Sequence, residues 1–558
     1  MHLISRLWKP RVPSKHYLAP QVLKKMVHCL LVFLKKLQSF CTYIATKLFH
    51  VSKFMQQSMK SSLRFIYQNN PLCVQIIYFT LISVAGYAAL KVLEPRGRPI
   101  SLNNLDLLFT SVSASTVSSM ATVEMEDFSS AQLWLLTILM LIGGEVFTST
   151  LGLYFARAKF DTENSVNRKG NSVYVDIESI NSTKSSPNST QGTIVTVPQA
   201  AEFHLEEKDH VEARIIQSLG YVLMVYLLVI NLGSSLIIYL YLVLIPDAQE
   251  VLKRKGIGLV TFSVFTAISS VGNCGFTPVN ENMVILQKNS ILLLLIIPQI
   301  LAGNTLFAPC LRLMVWSLRK ITAKEEYRFI LEHPEAIRYK HIMSSRECFY
   351  LTLTVVSFIT TQTILFCSLE WNSEALQEMK SYQKIVGALF QSTNARHAGE
   401  SIVDLSSLTS VILVLYTIMM YFPGYTSFCP INEEHHSKAQ MKGKSKRLLE
   451  NWIFSQLSYL GIFVMLICIT EKEALTTDPL NFNVFSILFE VVSAYGNVGF
   501  SVGYSCKRLL NHDVHCKDAS YGFVGRWSNK GKVILMIVMV FGRLKAFNMN
   551  GGRAWKIR

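Results

Sequence analysis

Phe489–Phe500, FEVVSAYGNVGF, decides how the chain is read, because its design returns three more times: FTSVSASTVSSM from Phe109, FTAISSVGNCGF from Phe265 and FQSTNARHAGE from Phe390. Each segment enters at a Phe, runs through small and polar residues, ends at a small residue and lies between two apolar runs of helix length. The aligned small residues are Ser119, Gly275, Gly399 and Gly499; their offset from the Phe is ten residues in the first, second and fourth segments and nine in the third. Recurrence of one unit in one polypeptide marks an internal repeat. A single such small residue would read as an ordinary turn, but four in matched contexts do not.

Composition places the repeats in a membrane. The 558 residues are 50% hydrophobic and only 16% charged, against about 25% charged in soluble domains. Eight apolar runs flank the four segments: 72–93, 131–155, 215–245, 290–316, 348–369, 408–425, 452–469 and 532–547. Most approach or exceed the roughly 20 residues a bilayer core requires, and the last is short. The segments between them are too short and too polar to span. Irregular backbone exists at membrane depth only where protein covers it or where it lines water. A short helix entering from outside, followed by an extended strand ending in a small residue, meets that condition, and its carbonyl end favours a cation. The fold class expected is therefore an all-α membrane protein: four membrane–pore loop–membrane pseudo-repeats, with eight spanning helices and four re-entrant loops around one central pore. The organisation is a basic N-terminal region (1–70), repeats at 71–157, 213–320, 321–430 and 431–558, and a linker at 158–212.

The formal charge of +17 is explained by topology rather than by nucleic acid, since Lys and Arg accumulate on the cytoplasmic side. Residues 1–70 carry twelve Lys or Arg and no Asp or Glu, which puts the N-terminus inside, and eight crossings return the C-terminus to the same side. Basic clusters at Arg319–Arg328 and Lys442–Arg447 agree, whereas Lys253, Arg254 and Lys255 would face outside. The run 27–54, interrupted by Lys35, Lys36 and Lys47, reads as an interfacial helix rather than a signal peptide or ninth span. The stretch 159–209, rich in Ser, Asn, Thr and Glu, reads as a flexible linker whose sequons at Asn181 and Asn188 stay cytoplasmic and unglycosylated. The eleven cysteines form no metal pattern, so no structural metal and no cofactor are expected. Cys506 and Cys516 flank an external polar loop, where a disulfide and two free thiols are about equally expected.

Seven motifs then carry a resemblance: TVSSMATVEME (116–126), LIGGEVFTS (141–149), NCGFTPVNENM (273–283), GNTLF (303–307), NARHAGE (394–400), SAYGNVGFSVGYSC (493–506) and GGRAWKIR (551–558). From about Leu72 onward the chain resembles the plant HKT transporters of the Trk/Ktr/HKT superfamily of potassium and sodium transporters. The resemblance implies a selectivity filter at Ser119, Gly275, Gly399 and Gly499, and Ser at the first position implies the sodium-selective subfamily. It also implies a gate at Arg543, against which stands an Arg snorkelling at the cytoplasmic end beside Lys545. A constriction at Pro423 and Gly424 competes with a plain helix end, and a homodimer with one pore per protomer is implied.

Glu124, Glu126 and Asp127, with Asn280, are expected at the outer mouth, the acids either concentrating cations there or bonding to nearby amides. Glu145 and Asn304, read as matching residues after Gly144 and Gly303, suit hydrogen bonding between repeats. Arg396 and His397 read as packing behind the filter, with a pH-sensing His as the alternative. The function expected is passive sodium transport across the plasma membrane, with sodium ions and the lipid bilayer as partners. The alternatives are a potassium-permeable or sodium/potassium-cotransporting member and, remotely, a membrane-embedded enzyme. No nucleotide motif and no converging catalytic set appear, so an enzyme is not expected.

Overall fold

The structure, a computed structural model, describes residues 71–96, 103–153, 199–334, 337, 339–396, 398–427, 456–509, 516, 518 and 520–548. The N-terminal basic region, both sequons, the 442–447 cluster, His397 and the ending 551–558 lie outside the described residues. Leu72–Arg558 groups into one compact unit, and the described residues are helical, with no strand among them.

Four repeats follow one plan of outer helix, pore helix and inner helix. The outer helices are Pro71–Val92, Gln199–Leu244, Ser345–Glu370 and Gln456–Thr470; the pore helices are Asn104–Ser115, Leu259–Gly272, Ser381–Asn394 and Val484–Gly496. Three outer helices, over Leu72–Val92, Arg214–Leu244 and Ser345–Glu370, are each long and apolar enough to cross a bilayer unaided. Leu81, Val229, Phe349 and Ile364 project from them uncovered, as apolar side chains facing lipid would. The second outer helix begins at Gln199, inside the stretch expected to be a flexible linker. QAAEFHLEEKDHVEARII is built of strong helix formers, which outweigh its lack of an apolar period.

The inner helices are where the chain breaks. The first bends by 51° between Ser130–Gly143 and Glu145–Leu153, and the second by 86° between Ser290–Gly303 and Phe307–Thr322. The third, Ser410–Tyr421, ends at Phe422 (φ −65°, ψ 135°), because the residue before a proline is driven from helical to extended backbone. The fourth, Asn529–Asn548, runs unbroken.

Glycines set these helices against the pore helices. A Cβ on Gly143 would strike the Ser115 carbonyl, one on Gly303 the Val271 carbonyl and one on Gly542 the Tyr495 carbonyl. Ser115, Val271 and Tyr495 lie four residues before the aligned small residues Ser119, Gly275 and Gly499 respectively. The packing therefore matches Gly143, not Gly144, with Gly303, which corrects the pairing of Glu145 with Asn304. Asn304 corresponds to Gly144, and Glu145 stands one position further on.

Candidate functional site: a four-residue ring between two cavities

The four segment-opening phenylalanines, Phe109, Phe265, Phe390 and Phe489, are each at most 1% exposed, so every pore helix is anchored at the same register. Four residues after each Phe stand Ser113, Ser269, Asn394 and Ser493. The turn out of the helix is closed by an amide bonding to the carbonyl of that residue: Ser118 to Ser113 (2.8 Å), Cys274 to Ser269 (2.8 Å), Val498 to Ser493 (3.1 Å) and, in the third repeat, Gly399 itself to Asn394 (3.3 Å). The missing residue of the third segment is thus absorbed in the turn after the helix.

The amide one position later bonds to the side chain of the same anchor in three repeats. Gly275 donates to Ser269 Oγ at 3.0 Å, Gly499 to Ser493 Oγ at 3.1 Å and Glu400 to Asn394 Oδ1 at 3.2 Å.

Ser119, Gly275, Gly399 and Gly499 all have positive φ, of 54°, 90°, 66° and 96°. Glycine takes this backbone without penalty. Ser119 takes it at a cost of about 1–2 kcal/mol, a strain that persists only where its surroundings impose it. The four positions are neighbours in a ring. A Cβ on Gly275 would meet Ala398 and Gly399, one on Gly399 would meet Val498 and Gly499, and one on Gly499 would meet Ser118 and Ser119. Cys274, the residue before Gly275, lies close to the Ser119 backbone and closes the circuit.

Repeat-to-repeat bonds brace the ring from behind. Ser270 Oγ donates to Glu400 at 2.6 Å, and Asn497 Nδ2 donates to Ser118 Oγ at 2.7 Å. Within the fourth repeat, Ser501 Oγ donates to Glu490 at 2.5 Å.

Above the ring opens a mouth of about 540 Å³ lined by all four ring residues together with Glu124, Asn280, Asp404 and Asp518. Asn280 Nδ2 donates to Glu124 at 2.9 Å. Glu126 is turned to Asn280 and to Lys255, whose Nζ lies 2.9 Å from Glu126 and 2.5 Å from Glu281. Burial disfavours the Lys255 ammonium, but these carboxylates outweigh it and hold its pKa above the ordinary value. Of the basic cluster expected to face outside, Lys255 is thus ion-paired beside the mouth, while Arg254 pairs with Glu250 at 2.8 Å. Asp127 stands in the short turn Met125–Asp127; burial first, then Glu124 and Glu126, raises its pKa. Cys506 and Cys516 are disulfide-bonded, with 5.8 Å between their Cα atoms.

Below the ring lies a cavity of about 130 Å³ that brings together Glu145, Asn304, Arg396, Pro423, Gly424, Arg543 and Lys545. Arg543 points inward, donating to the Gly143 carbonyl at 2.5 Å with its guanidinium 5.9 Å from the Phe79 ring centre. Lys545 donates to the Tyr495 carbonyl at 3.0 Å. Arg396, 7% exposed, donates to the carbonyls of Pro423 (2.7 Å) and Gly424 (3.2 Å). Arg396 thus lies beneath the ring instead of behind it, and Lys545 shares the cavity with Arg543. Spacing in the sequence could not find either placement: Arg396 is held by carbonyls freed where the third inner helix ends, and Lys545 by the Tyr495 carbonyl of the fourth pore helix.

Comparison with known proteins follows the same lines. The TrkH family model, described as a cation transport protein, matches residues 199–550. The chain is 70% identical over 533 residues to the cation transporter HKT1;3 of Oryza sativa subsp. japonica, covering 96% of this chain and all of that one. It is 47% identical over 476 residues to the sodium transporter HKT1 of Arabidopsis thaliana, covering 84% of this chain and 91% of that one. The crystal structure of the potassium transporter TrkH from Vibrio parahaemolyticus aligns over 86% of this chain and 84% of that one, at 12% identity and a TM-score of 0.47. With the family model matching well over half of its length and near relatives aligned almost end to end, the chain belongs to the TrkH family of cation transport proteins and, within it, to the plant HKT transporters.

Proposed function

We propose that the chain carries sodium passively across the plasma membrane, through a filter made by Ser119, Gly275, Gly399 and Gly499, with Arg543, Pro423 and Gly424 forming the constriction beneath it. The observation that carries this reading is the ring itself: four positions from four repeats, all at positive φ, between an outer mouth and an inner cavity. Backbone crowded this closely supplies carbonyl oxygens to replace a cation's hydration shell. Ser119 supports the sodium preference, because its Oγ lies 3.0 Å from where a Cβ on Gly499 would stand. Its side chain interrupts the ring on one side and disfavours the larger ion. The relative named a sodium transporter lends the same support. The basic N-terminal region supports cytoplasmic termini, and a homodimer with a pore in each protomer is the assembly we adopt from the family likeness.

Ser119→Gly tests the selectivity claim. Relief of the side chain should raise the potassium-to-sodium permeability ratio severalfold, measured by reversal potentials at matched surface abundance. An unchanged ratio would remove Ser119 from selectivity and leave Asn280, at the mouth, as the next residue to examine.

A further inference from the structure

The segment just before the third outer helix reaches into the lower cavity. Lys340 and His341 line the same cavity as Val117, Asn273 and Asn497, each two residues before a ring position. The segment is held at three points. Tyr339 donates to Ser149 Oγ at 3.1 Å, in the lower half of the first inner helix. His341 Nδ1 lies 2.8 Å from the Tyr425 hydroxyl, just past the break in the third. Arg312, in the lower half of the second, donates to the Met343 carbonyl at 2.8 Å and the Leu331 carbonyl at 3.1 Å. The His341 ring also packs among Phe307, Tyr339 and Tyr425, with centroids 5.1, 5.2 and 5.6 Å away. The three anchoring helices are the three that break beneath the ring.

From this placement we infer that Tyr339–Met343 is an inner plug of the pathway, tying the three broken inner helices together and setting cation exit through Lys340. The inference rests on the reading that ions pass through the ring into the lower cavity. Lys340 is exposed on the cavity side of the segment, so its ammonium opposes a cation leaving the cavity. Burial, with the Lys340 charge beside it, pushes the His341 imidazole down to about 4. The positive charge that the plug brings is therefore that of Lys340. For the exit to widen, the Tyr339 and His341 bonds have to release together, since both hold one short segment.

The test uses the full-length protein carrying Lys340→Cys in excised patches, with a positively charged methanethiosulfonate reagent applied to the cytoplasmic face and the parent chain as control for its own cysteines. Modification should reduce cation current severalfold, whereas the parent should respond far less. Lys340→Gln should raise current about twofold or more, and Tyr425→Phe, which keeps the ring but removes the bond to His341, should speed the modification. Complete labelling at position 340 with unchanged current would overturn the plug. If Ser119→Gly still shifts selectivity in the same cells, that failure belongs to the plug alone and the pathway reading stands.

Discussion

Gly275→Ala should abolish cation current while the protein still reaches the membrane. Gly275 has φ 90°, and left-handed backbone alone costs an L-residue about 1–2 kcal/mol. Space is the larger obstacle. The added Cβ would fall on the Ala398 carbonyl oxygen and stand 2.5 Å from its carbon and 3.2 Å from the Gly399 carbonyl carbon. These atoms are backbone of the next repeat and cannot swing aside, so the ring has to open. Current should fall more than tenfold. Gly503→Ala is the matched control, because Gly503 also has positive φ (67°) but nothing lies within 4 Å of its missing Cβ. It should conduct like the parent. A Gly275→Ala protein that conducts with parent selectivity would mean the ring is not where ions pass.

Arg543→Gln should enlarge the current or reshape its voltage dependence, because it removes a charge from beneath the ring and keeps much of the side chain's bulk. At an effective dielectric near 20, a cation 8 Å from a fixed positive charge meets a barrier of about 2 kcal/mol. Glu145, within Coulombic reach of both Arg543 and Lys545, offsets part of this, so a severalfold rise is expected. The measurement is current–voltage recording normalised to surface protein. The substituted glutamine keeps a polar amide in the cavity, so loss of folded protein should be small. Reduced surface abundance with unaltered current per molecule would assign Arg543 to anchoring rather than to gating.

The repeats and the ring could be read from the sequence because each is written locally. A Phe anchors the pore helix, an alternation of small and polar residues forms it, and a small residue ends it. The nine-residue offset of the third segment looks like a flaw in the period, yet Asn394 takes up both bonds that Ser269 and Ser493 make. The lower cavity was much less legible. Its residues come from helix breaks at Gly144, Asn304 and Phe422, from Arg396 after the third pore helix, from Arg543 and Lys545 on the unbroken last helix, and from a connection distant in sequence. Lys340 and His341 carry no local signal, since a polar loop after a basic helix end is an ordinary sequence. Glu126 was legible in part: its bond to the Asn280 amide was among the expected alternatives, whereas its partner Lys255 lies in another repeat, and only the fold brings the two to 2.9 Å.

The most direct test of the central claim is voltage-clamp of the expressed full-length protein with external sodium and potassium exchanged one for the other. A sodium-selective ring headed by Ser119 predicts that the reversal potential follows external sodium and barely moves with potassium. A reversal potential that follows potassium as closely as sodium would contradict it.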